Sequence, residues 1–174
     1  MTLQQRIYKV ARAFEGANEF IGNFSNPFIV KMIKWALPLA SGARIDKKYS
    51  WCGIFQAWVL KCIGKEHLAP DRFWVARNWL KVGEEVPLSK AKEGDYVVFW
   101  RGSKDSWQGH VSQLTESGIQ QVYTPVYGAN QGNEVRVSNY MTSRILGVRR
   151  LQGDDVSIKF KGRSFLTKIM MKYL

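Results

Sequence analysis

Two residues that lie far apart in the sequence could share a thiol-based reaction. Cys52 stands at the front of an apolar run over residues 51–62, and the start of a helix stabilises a thiolate, the reactive form of cysteine. His110 lies in a β-rich stretch over residues 109–114. An imidazole there could accept the thiol proton and later protonate a leaving amine. The pair therefore predicts nucleophilic attack on a peptide or amide carbonyl through a thioester.

Such a pair needs a third side chain that orients the imidazole. Residues 127–133 follow the histidine at a suitable distance along the chain. Asn130 is the first candidate, because an amide oxygen accepts the imidazole N–H without adding a charge, and Gln131 is the second. Asp46, in the loop before Cys52, is predicted either to polarise a bound carbonyl or to hold its loop.

Aromatic residues near the two candidates could contact a substrate. Trp51 and Trp107 are the predicted substrate-binding pair, together with Asp46 and Gln131. Trp58 and Trp100 belong to the same aromatic set. Each of these tryptophans could equally be a core residue, because large aromatic side chains dominate protein interiors.

The remaining cysteine and histidine are predicted to have no chemical role. Cys62 lies ten residues after Cys52 on the same predicted helix, about 15 Å along its axis, which is too far for a disulfide. We interpret Cys62 as a packing residue and His67 as a solvent-facing one. Positions 52, 62, 67 and 110 give no compact ligand spacing. The sequence therefore predicts no metal and no cofactor.

Hydrophobic spacing and turn residues predict which elements position these residues. Apolar periodicity predicts helices first, and β-rich runs separated by turn residues follow. Ser50 is the predicted N-cap of the cysteine-bearing helix, and residues 38–46 are a predicted loop. The predicted helices cover 3–14, 27–35, 51–62 and 73–81, and the predicted strands cover 96–100, 109–114, 120–127 and 144–150. This order predicts an α+β fold in which N-terminal helices pack on a small antiparallel β-sheet.

Composition limits the class of protein. The chain has 174 residues and is 45% hydrophobic, which suits one globular domain. Its two cysteines make no disulfide framework. No run is as long and apolar as a membrane span, and the N-terminus shows no secretory signal.

The charge is strongly positive. The net charge of +12, from 26 basic and 14 acidic residues, indicates an anionic partner such as nucleic acid, lipid head groups or a cell envelope, unless it serves only solubility. We divide the chain into a catalytic unit over 1–152 and a basic amphipathic segment over 153–174. Residues 156–174 carry five basic residues and no acidic one. This segment is predicted either to lie on an anionic surface or to dock on the core as a C-terminal helix.

Several short motifs, taken in order, resemble those of a CHAP-type domain, a cysteine- and histidine-dependent amidohydrolase or peptidase. The likeness is to the small phage-associated branch of that family, which is related to the NlpC-type peptidases, and it spans residues 5–150. The motifs are Ala13-Phe14-Glu15-Gly16, Asn26-Pro27, Trp51-Cys52-Gly53-Ile54-Phe55, Gly94-Asp95-Tyr96-Val97-Val98-Phe99, Gly109-His110-Val111 and Gly128-Ala129-Asn130-Gln131.

The resemblance implies a papain-like fold and cleavage of amide bonds in bacterial peptidoglycan. It implies Cys52 as nucleophile and His110 as base. Many CHAP domains carry a Glu and an Asn on the strand after the histidine, and Tyr127 falls where the Glu is expected. Asn130 would then act alone or with Gln131. The acidic calcium loop of some CHAP enzymes is not evident before Cys52, so no metal is expected.

The expected function is that of a phage endolysin, a monomer whose partner is peptidoglycan. It would be held in the host cytoplasm before lysis and act at the cell wall in the periplasm. Residues 156–174 would contact anionic membrane or lipopolysaccharide. One alternative is an interbacterial peptidoglycan hydrolase toxin. Another is a non-enzymatic basic protein that binds nucleic acid, although no recognised nucleic-acid-binding motif is present and no specific nucleic acid is expected.

Overall fold

The computed structural model describes residues 1–153. Helices occupy the first part of this range and strands the second, which confirms the α+β prediction. The helices are α1 (Leu3–Arg12), α2 (Pro27–Ala36), α3 (Ile45–Lys48) and α4 (Cys52–Cys62), and the strands are β1 (Glu84–Glu85), β2 (Tyr96–Trp100), β3 (Gly109–Leu114), β4 (Tyr123–Gly128), β5 (Arg136–Met141) and β6 (Ile145–Arg150).

Side-chain caps fix where the first two helices begin. Thr2 and Gln5 form a capping box at the start of α1, in which each side chain accepts from the other residue's backbone N–H. Asn26 caps α2 by accepting from the backbone N–H of Phe28, and Pro27 occupies the first helical position. Both predicted helices are confirmed, although α1 ends at Arg12 and not at residue 14.

Helix α4, which carries Cys52, is buried from its first residue to Leu60. The structure corrects the predicted cap, because Trp51 holds the N-cap position and Ser50 makes no capping hydrogen bond there. The segment around Phe73 comes so close that a Cβ atom on Gly53 would lie 2.2 Å from the carbonyl oxygen of Phe73. Glycine therefore allows the start of α4 to lie against this segment.

The predicted α-helix over 73–81 is wrong. The structure has a turn followed by a 3-10 helix over Ala76–Lys81. Side chains bind carbonyl oxygens of the turn that precedes the 3-10 helix: Asn78 Nδ2 donates to the carbonyls of Asp71 and Arg72, and Trp79 Nε1 donates to that of Phe73. The predicted loop over 38–46 also ends early, because α3 begins at Ile45.

The strands form one antiparallel sheet of six in the order β1-β6-β2-β3-β4-β5. Four of them confirm the predicted strands, with β4 starting three residues later than expected. The sequence missed β1 and β5, which lie at the two edges. β1 has two residues, and β5 alternates between exposed and half-buried positions, so neither gives the apolar signal of a central strand.

The sheet separates two apolar clusters. The larger one, which we call the main core, joins the helices to residues such as Val98, Val111 and Tyr127 on one face. The smaller one, which we call the outer cluster, includes Val97, Phe99 and five further strand or loop side chains on the other face: Val86, Leu114, Val126, Val148 and the partly buried Tyr140. Strands β2 and β3 therefore lie between two packed apolar layers, the main core and the outer cluster.

Within residues 1–153 no helix is long and apolar enough to cross a membrane. Of the predicted basic amphipathic segment over 153–174, residues 154–174 lie outside the described part of the chain.

Candidate active site

His110 lies near the start of β3 and is completely buried, at 0% exposure. Its Nε2 atom is 3.0 Å from Oε1 of Gln131 and 2.7 Å from Oγ of Ser112. Ser112 follows two positions later on the same strand, so both side chains project from one face of the sheet. Three polar side chains therefore meet in a buried cluster.

The backbone fixes which end of the Gln131 amide faces the histidine. Nε2 of Gln131 donates to the carbonyl of Val126 at 3.2 Å and to that of Arg136. Its Oε1 is thereby turned toward Ser112, whose hydroxyl donates to it at 3.0 Å, and toward His110. Because Oε1 can only accept, Nε2 of His110 must carry the ring proton.

The contact made by the other ring nitrogen, Nδ1, indicates the same tautomer. Nη2 of Arg101 lies 3.3 Å from Nδ1 of His110, and a guanidinium can only donate. Nδ1 therefore accepts with its lone pair. The ring of Tyr140 stacks on the imidazole at 4.7 Å between centroids and 6° between planes, and its hydroxyl accepts from Arg101 Nη2 at 3.3 Å. The imidazole is held on both edges and on one face.

The environment keeps this imidazole neutral. The pKa of His110 is lowered to about 3: burial is the largest cause, the Arg101 charge acts in the same direction, and the hydrogen bond to Gln131 opposes both. At neutral pH the ring thus has a proton on Nε2 and a lone pair on Nδ1, which is the state that a general base requires.

The same pKa predicts how stability depends on pH. The unfolded chain binds a proton on His110 below the ordinary pKa of 6.5, whereas the folded chain does not until about 3. The unfolded state therefore binds more protons as the pH falls. We expect the free energy of unfolding to be about 2 kcal/mol lower at pH 5 than at pH 7, measured by urea unfolding.

The exposed His67 provides the control for this pH dependence. His67→Gln should keep the loss of stability between pH 7 and pH 5, and His110→Gln should reduce it. A His110 imidazole NMR resonance that titrates near pH 6.5 in the folded protein would contradict the expectation, whatever the stability of the variants.

Cys52 is the first residue of α4 and is 2% exposed. In the described residues its thiol has a hydrogen-bond contact with Ser50, at 3.7 Å between Sγ and Oγ. Cys52 also lies close enough to Tyr140 to affect it: burial is the main cause that raises the pKa of Tyr140, and the Cys52 charge adds to it. The Tyr140 ring also stacks on His110, so Tyr140 neighbours the imidazole and is influenced by the thiol.

The two residues reach this site from different layers. Cys52 belongs to the main core. His110 pairs directly with Phe99 of the outer cluster and shares its face of the sheet. The segments that carry them meet where β2 ends and β3 starts, because Ser50, two residues before Cys52, and Gly109, directly before His110, border the same surface depression.

The structure brings Gln131, and not Asn130, to the imidazole. Asn130 has a left-handed backbone, with φ of +57°, and its Nδ2 donates to Oγ of Ser50 at 3.5 Å. The first candidate for the orienting residue is therefore corrected on geometry, and Gln131 takes that position. The turn at Asn130 directs the next side chain back into the interior.

The four predicted substrate-binding residues have different environments. Trp51 is fully buried, and its Nε1 donates to Glu19 Oε1 at 3.0 Å, so it is a core residue. Trp107 is 77% exposed and available for contact. Gln131 is buried and joined to His110.

Asp46 holds its loop, which is the second of the roles predicted for it. It is fully buried and accepts from the backbone N–H groups of Asn26 and Lys47, each at 3.0 Å. Burial raises its pKa, but the hydrogen bonds from Asn26 and Ser25 and the charge of Arg44 outweigh burial and lower it overall. A direct contact with substrate is not compatible with this position.

The other predicted residues lie outside the site. Trp58 is buried in the main core, and the partly buried Cys62 packs against that core. Trp100 is half-buried under the Arg144 guanidinium, 4.7 Å from its ring centroid. Within residues 1–153 no group of three or more His, Cys, Asp or Glu side chains could hold a metal ion.

Two depressions meet above the buried residues, and Ser50 and Arg101 border both. The first has a volume of about 360 Å³ and polar walls. The second has a volume of about 230 Å³ and contains the exposed Trp107. Besides the two shared residues, the first is lined by Glu19, Lys47, Tyr49, Asn130 and Asn133, and the second by Trp107, Gln108 and Gly109. Because they share Ser50 and Arg101, we refer to the two depressions together as the groove.

Three members of the site were missed from the sequence. Ser112 could have been found, because a side chain two positions after His110 must share its strand face. Arg101 directly follows β2, and Tyr140 lies on the unpredicted β5. Neither of these two has a sequence spacing that links it to His110.

Comparison with known proteins gives a match in structure. A scan against models of protein families finds no match, and neither does a search of curated proteins. One similar solved structure is that of a protein described as similar to a lipoprotein, of the NLP/P60 family, from Staphylococcus aureus. The TM-score is 0.51 at 18% sequence identity, over 87% of this chain and 42% of that one. The present chain therefore has the papain-like α+β fold, and it spans less than half the length of that protein.

Proposed function

We propose that this chain is a thiol hydrolase that cleaves amide bonds in bacterial peptidoglycan. The observation that carries the proposal is a buried, neutral imidazole whose tautomer is fixed by Gln131. A cysteine at the start of a helix accompanies it, and the segments that carry the two residues border one depression. The papain-like fold that the chain shares with an NLP/P60 protein supports it, as does the order of motifs that resembles a CHAP domain.

The reaction follows from the donors and acceptors of the site. Nδ1 of His110 accepts the proton of the Cys52 thiol, and the sulfur attacks the carbonyl carbon of the amide. The backbone N–H of Cys52, at the start of α4, stabilises the oxyanion. The imidazolium then protonates the departing amine, and the acyl group remains on the Cys52 sulfur as a thioester. Water, deprotonated by the same Nδ1, hydrolyses the thioester and regenerates the thiol.

Gln131 acts by positioning His110. Its Oε1 keeps the proton on Nε2 and so keeps the lone pair on Nδ1. When Nδ1 takes the thiol proton, the imidazolium still donates from Nε2 to Gln131 and to Ser112. A neutral amide in this position orients the ring without stabilising the imidazolium as a carboxylate would.

At the level of biology we propose a phage endolysin, with an interbacterial peptidoglycan hydrolase toxin as the alternative. The resemblance to the phage-associated CHAP branch supports the first. The enzyme would act as a monomer, be stored in the host cytoplasm and reach the cell wall in the periplasm at lysis. The presence of a cognate immunity gene next to the coding sequence would count against this choice and favour the toxin.

The test of the proposed activity is mass spectrometry of purified sacculi after incubation with the protein. We expect fragments with a new amine and a new carboxyl group at one type of bond, either the amide between muramic acid and L-alanine or a peptide bond of the stem or cross-link. Sacculi that yield no new amine, or fragments cut between sugars, would contradict an amide hydrolase.

We also propose that residues 156–174 bind anionic phospholipid or lipopolysaccharide through their five basic residues. Deletion of residues 156–174 should weaken sedimentation with anionic vesicles and leave digestion of isolated sacculi unchanged. Equal vesicle binding by the full and shortened chains would exclude this role.

A further inference from the structure

Arg101 binds the nitrogen atom of His110 that would have to act as the base. Its Nη2 atom is 3.3 Å from the Nδ1 lone pair and 3.3 Å from the Tyr140 hydroxyl oxygen. That lone pair is the acceptor for the Cys52 proton in the proposed reaction. In this structure the base is therefore engaged by a cation, and the thiol contacts Ser50 instead.

The guanidinium has only neutral acceptors in these two contacts. Five other arginines in residues 1–153 pair with carboxylates, among them Arg150 with Asp95 at 2.6 Å and Arg149 with Glu85 at 3.3 Å. The carboxylate that shares the groove with Arg101 is Glu19, and it accepts from Trp51 Nε1. Arg101 thus has two weak, long hydrogen bonds where a carboxylate would give shorter and stronger ones.

Arg101 also borders both halves of the groove. A ligand that occupies both depressions therefore contacts its side chain. A guanidinium matches a carboxylate by two parallel N–H···O bonds, and a carboxamide cannot accept both.

From this geometry we propose that Arg101 is a substrate-binding residue that selects a free carboxylate near the scissile amide. In binding that carboxylate it leaves Nδ1 of His110, so the correct substrate frees the base. The inference rests on the proposed function, because it assumes that an amide is cleaved in this groove. It adds the substrate class, which is a peptide with an ionised carboxylate beside the bond that is cut.

The test compares two synthetic peptides with the sequence around the bond that the sacculus digest identifies. One carries the nearest carboxylate free, and the other carries it as the carboxamide. We expect the wild-type enzyme to prefer the free carboxylate in kcat/KM by roughly 10- to 100-fold, which is the size of a hydrogen-bonded charge pair. Arg101→Gln should lose that preference because cleavage of the carboxylate peptide falls, and Arg101→Lys should keep part of it.

Arg149→Gln is the control for the loss of one positive charge. Its partner Glu85 lies on the edge strand β1, away from the groove, so this variant should keep the wild-type preference. Labelling of Cys52 with iodoacetamide and thermal unfolding check that Arg101→Gln is folded and has an intact thiol.

The outcomes separate this inference from the proposed function. If the wild-type enzyme cleaves both peptides equally, or if Arg101→Gln slows both by the same factor, carboxylate selection is overturned while amide hydrolysis stands. If the wild-type enzyme cleaves neither peptide and releases no amine from sacculi, the proposed function itself fails.

Discussion

Cys52→Ala is expected to lower the rate of amine release from sacculi by about 10³-fold or more. The reason is chemical, because alanine has no atom that could form the thioester, and loss of a nucleophile typically leaves only the catalysis that binding and oxyanion stabilisation supply. The measurement is the initial rate of new amine formation, followed with wild-type and variant proteins at equal concentration.

The variant should remain folded. Cys52 is buried in the main core, but replacing cysteine by alanine removes a single sulfur atom, and we expect a cost of about 1 kcal/mol. Cys62→Ala, at the other end of α4, is the matched control and should keep the wild-type rate. Full activity of Cys52→Ala, or equal losses in the two variants, would contradict thiol catalysis by Cys52.

The sequence was informative where local signals determine structure. Apolar spacing predicted α1, α2 and α4 nearly to their ends, because the apolar residues of a helix are a property of a short segment. The predicted cap Ser50 was wrong, since Trp51 holds that position. The 3-10 helix over Ala76–Lys81 was predicted as an α-helix, since its conformation depends on side chains of Asn78 and Trp79 that bind carbonyls in the preceding turn.

The candidate site was predictable in its two reactive residues and not in its supporting ones. Cys52 and His110 carry chemistry that is visible in their residue types and contexts. The choice between Asn130 and Gln131 depends on the backbone φ of +57° at Asn130 and on carbonyls of Val126 and Arg136 that hold the Gln131 amide. Both residues are carboxamides, so residue type alone favours neither.

Arg101 likewise has no local signal that marks it as part of the site. It follows the end of β2 at a charged turn, which is an ordinary surface position in a sequence. Its contact with His110 exists because β2 pairs with β3 so that Phe99 lies opposite His110. Tyr140 joins them from β5, an edge strand without an apolar pattern. Contacts across a sheet depend on register, which the local pattern of one strand does not contain.

Gln131→Leu is expected to lower kcat by about 10²-fold or more, with a smaller change in KM, if Gln131 orients the base. Leucine has a similar size and lacks the oxygen that accepts from His110 Nε2. Once Arg101 has left Nδ1 for a substrate carboxylate, as inferred above, the ring proton could then move to Nδ1, the position that must accept from the thiol. The carbonyls of Val126 and Arg136 also lose their donor, so the free energy of unfolding should fall by about 1–3 kcal/mol.

Asn130→Gly is the matched variant, because glycine adopts the left-handed backbone at position 130 without strain. It removes the 3.5 Å contact with Ser50 and should change kcat by no more than about fivefold, the value of one neutral hydrogen bond.

Rates measured below the melting temperature of each variant separate the two effects of Gln131→Leu. A purely structural role would lower the melting temperature and leave kcat of the folded fraction near wild type. A large loss in Asn130→Gly with near-normal kcat in Gln131→Leu would return the orienting role to Asn130, and the hydrogen bond between Gln131 and His110 would then serve packing alone.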